Sequence, residues 1–190
     1  MTTSDARPPD QQLCPTGREE VVAAIIDSAG RLFAERGPAA TSIRDIAVHA
    51  RVNHGLAFRH FGTKERLVAA VLDQLAAQLA GLMDRGAPVD EIEAAGDHQL
   101  RVIARALLDG YPAGRLQTGF PAAARLLDEI RPRHPSDEAA RLAAAHAGAL
   151  LLGWRMFETL LRSASGLHDL PADELGRSIA SEAETLAQPH

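Results

Sequence analysis

Apolar residues along this chain recur at three- and four-residue intervals without sustained two-residue alternation, so the pattern predicts helices and no strands. Ile43, Ile46, Ala47 and Ala50 keep the i, i+3, i+4, i+7 spacing of one buried face, which predicts a short helix over 42–50. Ser42, with Asp45 three residues on, opens it with a hydroxyl and a carboxylate that can satisfy orphan amides. A break follows at Arg51 and Val52, and Asn53 is suited to cap a second helix running to about residue 60. That helix is expected to bury Val52, Leu56 or Ala57, and Phe61, with part of Phe58, while Asn53, His54, Arg59 and His60 stay outward. Thr63, with Arg66 one turn on, opens a long amphipathic helix carrying Leu67, Val68, Val71, Leu72 and Leu75 and ending near Gly86, Ala87 and Pro88.

Helical patterns resume over 90–108, 120–130, 136–164 and 171–187. Gly110, Pro112, Gly114, Pro121, Pro132, Pro135, Gly166 and Pro171 mark the breaks between them. The expected fold is all-α with about nine helices.

Two short helices around a tight turn match a helix-turn-helix. The second of them is rich in donors suited to phosphate oxygens and to base edges in the major groove. Charge points the same way. The chain carries a net −5, yet residues 44–66 hold Arg44, Arg51, Arg59, Lys64 and Arg66 against Asp45 and Glu65, a local +3. From residue 69 onward the balance is −6, so a basic patch sits on an acidic body and favours DNA binding through one face.

The strings VVAAIIDSAGRLFAERG, ended by Gly37, T-S-x-R-D-I-A at 41–47, V-N-H-G-L-A-F-R-H-F at 52–61 and G-T-K-E at 62–65 stand in fixed order and spacing. Over roughly 18–78 the chain thereby resembles the TetR family of bacterial transcription regulators. The resemblance implies an N-terminal three-helix DNA-binding head and a C-terminal helical region for ligand binding and dimerisation. Carried over residue by residue, it places Ser42 and Arg44 at the DNA end of the second helix. Asn53, His54 and Gly55 stand at the groove-facing start of the recognition helix, Leu56 and Phe58 beside the backbone, and Arg59 and His60 toward bases and phosphate. Lys64 is implied to meet a phosphate, and it is the single lysine beside 19 arginines. Arg51 stands where the family usually has glycine, Leu56 where it has threonine and Phe58 where it has tyrosine. Two hydroxyl donors are thus absent, which shifts backbone grip onto Arg44, Arg59 and Lys64.

Residues 138–161 carry Leu142, Ala145, Ala149, Leu150, Leu152, Trp154, Phe157, Leu160 and Leu161, too wide an apolar arc for a helix covered on one side, so packing on both faces is expected. Ala145, Ala149 and Gly153 allow a close helix approach. The family resemblance makes 136–164 and 171–187 a two-fold interface, hence a homodimer whose heads read half-sites about 34 Å apart. It also implies a small-molecule pocket among the middle helices. The candidates are His98, Arg101, Leu108, Tyr111, Phe120, Leu126, Leu127, Trp154 and Phe157, a mostly apolar set with few polar handles.

The domain reading is an arm over 1–17 rich in proline and small polar residues, a DNA-binding head over 18–78, and a ligand-binding and dimerisation region over 79–190. The arm lacks a basic flank with an apolar core, and no stretch is read as a membrane span, so a cytoplasmic protein is expected. Cys14 is the lone cysteine. His49, His54 and His60 lack a completing ligand for a metal, and no cofactor is implied. Enzyme chemistry finds no nucleophile elbow, phosphate loop, dinucleotide fingerprint or H-E-x-x-H. The expected function is a ligand-responsive, homodimeric regulator, most often a repressor, on a palindromic operator. The alternatives are a constitutive dimeric DNA binder and a helical ligand-binding bundle with a degenerate head.

Overall fold

The computed structural model describes residues 17–189; the expected arm and Cys14 lie outside the described residues, apart from Gly17. Among the described residues nine α-helices follow one another: α1 (Arg18–Arg36), α2 (Ile43–His49), α3 (His54–Phe61), α4 (Lys64–Asp84), α5 (Val89–Leu108), α6 (Ala113–Leu116), α7 (Pro121–Ile130), α8 (Asp137–Ala164) and α9 (Ala172–Leu186). There is no strand among the described residues. The four-residue α6 and the 3-10 turn Arg131–Arg133 were beyond sequence reach, because neither is long enough to show a periodicity.

The first core is built from Ile25 and Phe33 of α1, Ile46 of α2, Ala57 and Phe61 of α3, and Leu67, Val68, Val71 and Leu72 of α4. Each of the four on α4 is completely buried, contributing ~1.5–3 kcal/mol apiece relative to exposure. Val102 and Ala106 of α5 and Ala113 of α6 complete the same cluster, so the core of the head draws on residues beyond position 100. Helix α4 is the hub, packing on α1, α3, α5, α6 and α7. It is also long and apolar enough to cross a membrane, which corrects the expectation that no stretch reaches that limit. Its apolar face is instead spent on the protein core.

A second cluster joins Ile130, Ala140, Ala143, Ala147, Ala183 and Ala187, with Leu126, Leu127, Leu150 and Leu186 packed against it. Small residues on α8 and α9 bring these helices close. The expectation that α8 packs on both faces is not met within one chain. Ala140, Ala143 and Ala147 are buried, whereas Leu142, Leu152, Phe157 and Leu160 are 54, 54, 51 and 64 % exposed. Helix α8 leaves helical geometry at Phe157, with φ −117° and ψ 15°.

Three polar ties fasten the layers. Arg155 of α8 donates to Asp97 Oδ1 at 2.6 Å and to the Glu93 carbonyl at 3.1 Å on α5. Asp73 of α4 accepts from the Thr118 amide and hydroxyl, both at 2.7 Å, hooking the α6–α7 link onto the hub. Asp109, just past α5, accepts from the Ala39 amide at 2.6 Å.

Candidate nucleic-acid interface

The site is assembled by caps. Ser42 Oγ accepts from the Asp45 amide at 3.0 Å, and Asp45 returns a carboxylate to the Ser42 amide at 2.9 Å. This reciprocal box starts α2 and leaves Arg44 exposed on its first turn. The Ser42 amide, then the Ser42 hydroxyl, and then Arg36 and Arg44 hold the Asp45 carboxyl below its usual 3.8. Arg36 itself reaches Asp45 at 3.4 Å.

Between α2 and α3 the chain reverses at Arg51, which has φ +55°, the one non-glycine residue with positive φ among those described. The arginine in the turn therefore adopts the left-handed conformation that glycine takes freely. Asn53 Oδ1 then accepts from the Gly55 amide at 2.8 Å and starts α3. Ala57 and Phe61 anchor α3 in the core. Asn53, His54, Gly55, Phe58 and Arg59 are exposed, while Leu56 and His60 are half-buried. Phe58, expected to be partly core, is 58 % exposed, since α3 has only two turns and Ala57 and Phe61 take its inward face. Val48 on α2, which the sequence reading passed over, stands beside this surface at 72 % exposed.

Thr63 Oγ1 accepts from the Arg66 amide at 3.2 Å and starts α4. Lys64, at its first residue, points its Nζ to the Ala39 carbonyl at 3.5 Å. Arg44, Arg51, Arg59 and Arg66 make no salt bridge and no side-chain hydrogen bond among the described residues. In the C-terminal half, Arg125 pairs with Asp84, Arg131 with Asp128 and Asp137, Arg155 with Asp97, and Arg162 with Glu158. The four head arginines can therefore meet phosphates with no internal ion pair to break, while Arg101, Arg105 and Arg115 likewise stand without an ion pair among the described residues.

The structure does not bring the expected ligand residues together. His98 borders a cleft of about 300 Å³ with Ile26, Asp27, Gly30, Arg31, Gln74, Leu75 and Gln78, between α1, α4 and α5. Burial, then Arg101, pushes its imidazole below the usual 6.5. Arg101 is exposed, Leu108 is 83 % exposed, and Tyr111 packs against the head core. Phe120 is 48 % exposed at the start of α7, Leu126 and Leu127 lie on the second cluster, and Trp154 is half-buried beside the outward Phe157. A helical period fixes which face of its own helix a residue occupies, but not which faces of different helices meet, and these residues come from four separate segments.

A two-helix unit with a tight turn, capped on both sides and carrying free cations on its exposed face, defines a helix-turn-helix DNA-binding protein. Residues 25–71 match the model of bacterial regulatory proteins, tetR family. The chain is 58% identical over 190 residues, all of both chains, to the HTH-type transcriptional repressor Rv3405c of Mycobacterium tuberculosis H37Rv, and equally to the HTH-type transcriptional regulator Mb3439c of Mycobacterium bovis. Its fold is similar to a TetR-family regulator from Mesorhizobium loti, with TM-score 0.61 and 22% identity over 90% of this chain and 96% of that one. The protein belongs to the TetR family of helix-turn-helix transcriptional regulators.

Proposed function

We propose that the protein is a homodimeric transcriptional repressor, acting in the cytoplasm, that reads a palindromic operator through α2 and α3 and is released by a small-molecule effector. The observation that carries the DNA role is the exposed face with Arg44, Asn53, His54 and Arg59 projecting from capped helices. The sign of regulation is supported by the full-length relative named a repressor. The outward stripe of Leu142, Ala145, Ala149, Leu152 and Met156 on α8 supports dimerisation, because an apolar face of that length calls for a partner. An effector acts by preferring one spacing of the heads, typically by ~1–3 kcal/mol.

Selection from random duplex DNA with the full chain at physiological salt tests this reading. An inverted repeat with half-sites about one helical turn apart is the expected result, and no enrichment would sink it. On the selected duplex, Lys64→Ala is expected to weaken all sequences alike and lower the salt slope by about 1. His54→Ala is expected to cost roughly 1–3 kcal/mol and to relax preference at one position. The scattered placement of Leu108, Phe120 and Leu127 favours a second reading, a constitutive dimeric binder, and a ligand screen on operator affinity separates the two.

A further inference from the structure

We infer that Asp109 is a positioning residue for DNA binding: its carboxylate, carried at the end of α5, holds the α1–α2 turn from which Lys64 and α2 are aimed. The inference rests on the DNA-binding reading above. Two contacts meet at one residue, Ala39. The Ala39 amide donates to Asp109 Oδ2 at 2.6 Å, across 70 residues of chain, and the Ala39 carbonyl faces the Lys64 ammonium at 3.5 Å. The turn is otherwise tight, with Thr41 Oγ1 donating to the Gly37 carbonyl at 2.7 Å and Pro38 fully buried. One residue further, Ser42 caps α2 and thereby sets Arg44.

Asp109 is badly placed for its own helix. A carboxylate at a helix C-cap faces the negative end of the macrodipole, where a cation is favoured. Its orientation is accounted for by the head instead. Gly37 is fitted to it twice over: its φ of +83° suits glycine, and a Cβ there would lie 2.5 Å from Asp109 Oδ2. Arg155 fixes the N-terminal half of α5 to α8 through Asp97 and Glu93. Helix α5 thus runs as a strut from the outward-facing α8 to the turn that orients the single lysine.

The experiment compares the full chain with Asp109→Ala, Asp109→Asn, Lys64→Ala and the Asp109→Ala/Lys64→Ala pair, titrated against the wild-type-selected duplex at several salt concentrations. Asp109→Ala is expected to weaken binding about ten-fold and to flatten the salt slope by about 1, as Lys64→Ala does. Asp109→Asn keeps an acceptor oxygen and is expected to stay within about two-fold of wild type. In the Lys64→Ala background, Asp109→Ala should add little, since both act through one contact. Wild-type affinity and slope in Asp109→Ala, or fully additive losses, overturn the inference. Exchange of the Ala39 amide supplies a readout free of DNA. Protection in wild type and Asp109→Asn but not in Asp109→Ala supports the tie, and a fast-exchanging Ala39 in wild type overturns it. A wild type that selects no duplex yet protects Ala39 marks failure of the DNA reading alone.

Discussion

At the scale of single residues, Arg51 is under conformational strain and His98 under electrostatic strain. A non-glycine residue at φ +55° costs about 1 kcal/mol after the chain-entropy cost of glycine is subtracted. Arg51→Gly is therefore expected to raise the free energy of unfolding by about that amount, measured in urea, whereas Arg51→Ala should give no gain. The position was marked in the sequence only by the family resemblance, which usually has glycine where Arg51 stands, and the positive φ itself is a finding of the structure. His98 has its pKa pushed below 6.5 by burial, so unfolding takes up a proton at mildly acidic pH. Its contribution to stability is present above 6.5 and is lost as pH falls through the folded-state value. Thermal midpoints recorded between pH 7.5 and 5 should fall less steeply in His98→Gln.

At the scale of elements, the head was readable because each helix boundary has a local chemical cause. Ser42, Asn53 and Thr63 cap in the structure as their positions in the sequence suggested. Ser42→Ala removes the hydroxyl that opens α2 and is expected to cost about 1 kcal/mol in thermal unfolding. The Asp45 carboxylate stabilises the fold above its unfolded value of 3.8, and this is lost as pH drops through the lowered folded value. Acid titrations of the Ser42→Ala protein should show a shallower loss in that window. The C-terminal helices were located almost to the residue, yet their mutual packing was not. The inward face of α8 is mostly alanine, and alanine has too little side chain to reveal which neighbour it meets. Neither the Phe157 break nor the Asp109 contact has a local sequence signature.

At the scale of the whole molecule, the outward stripe of α8 is the surface on which the dimer reading depends. Ala149→Arg leaves the single-chain core untouched, because Ala149 is already exposed. Light scattering is expected to show a monomer, and operator affinity to drop at least ~100-fold as the second head is no longer tethered. A variant that stays dimeric would move the interface elsewhere. The sharing of one core by α1–α4 and by Val102, Ala106 and Ala113 bears on how the protein can be cut and recombined. A fragment ending after α4 lacks Val102, Ala106 and Ala113, the part of that buried cluster which α5 and α6 supply. A chimera that borrows this DNA-reading unit for a foreign sensor must therefore place its junction beyond Leu116, carrying along about a third of what looks, along the chain, like somebody else's domain.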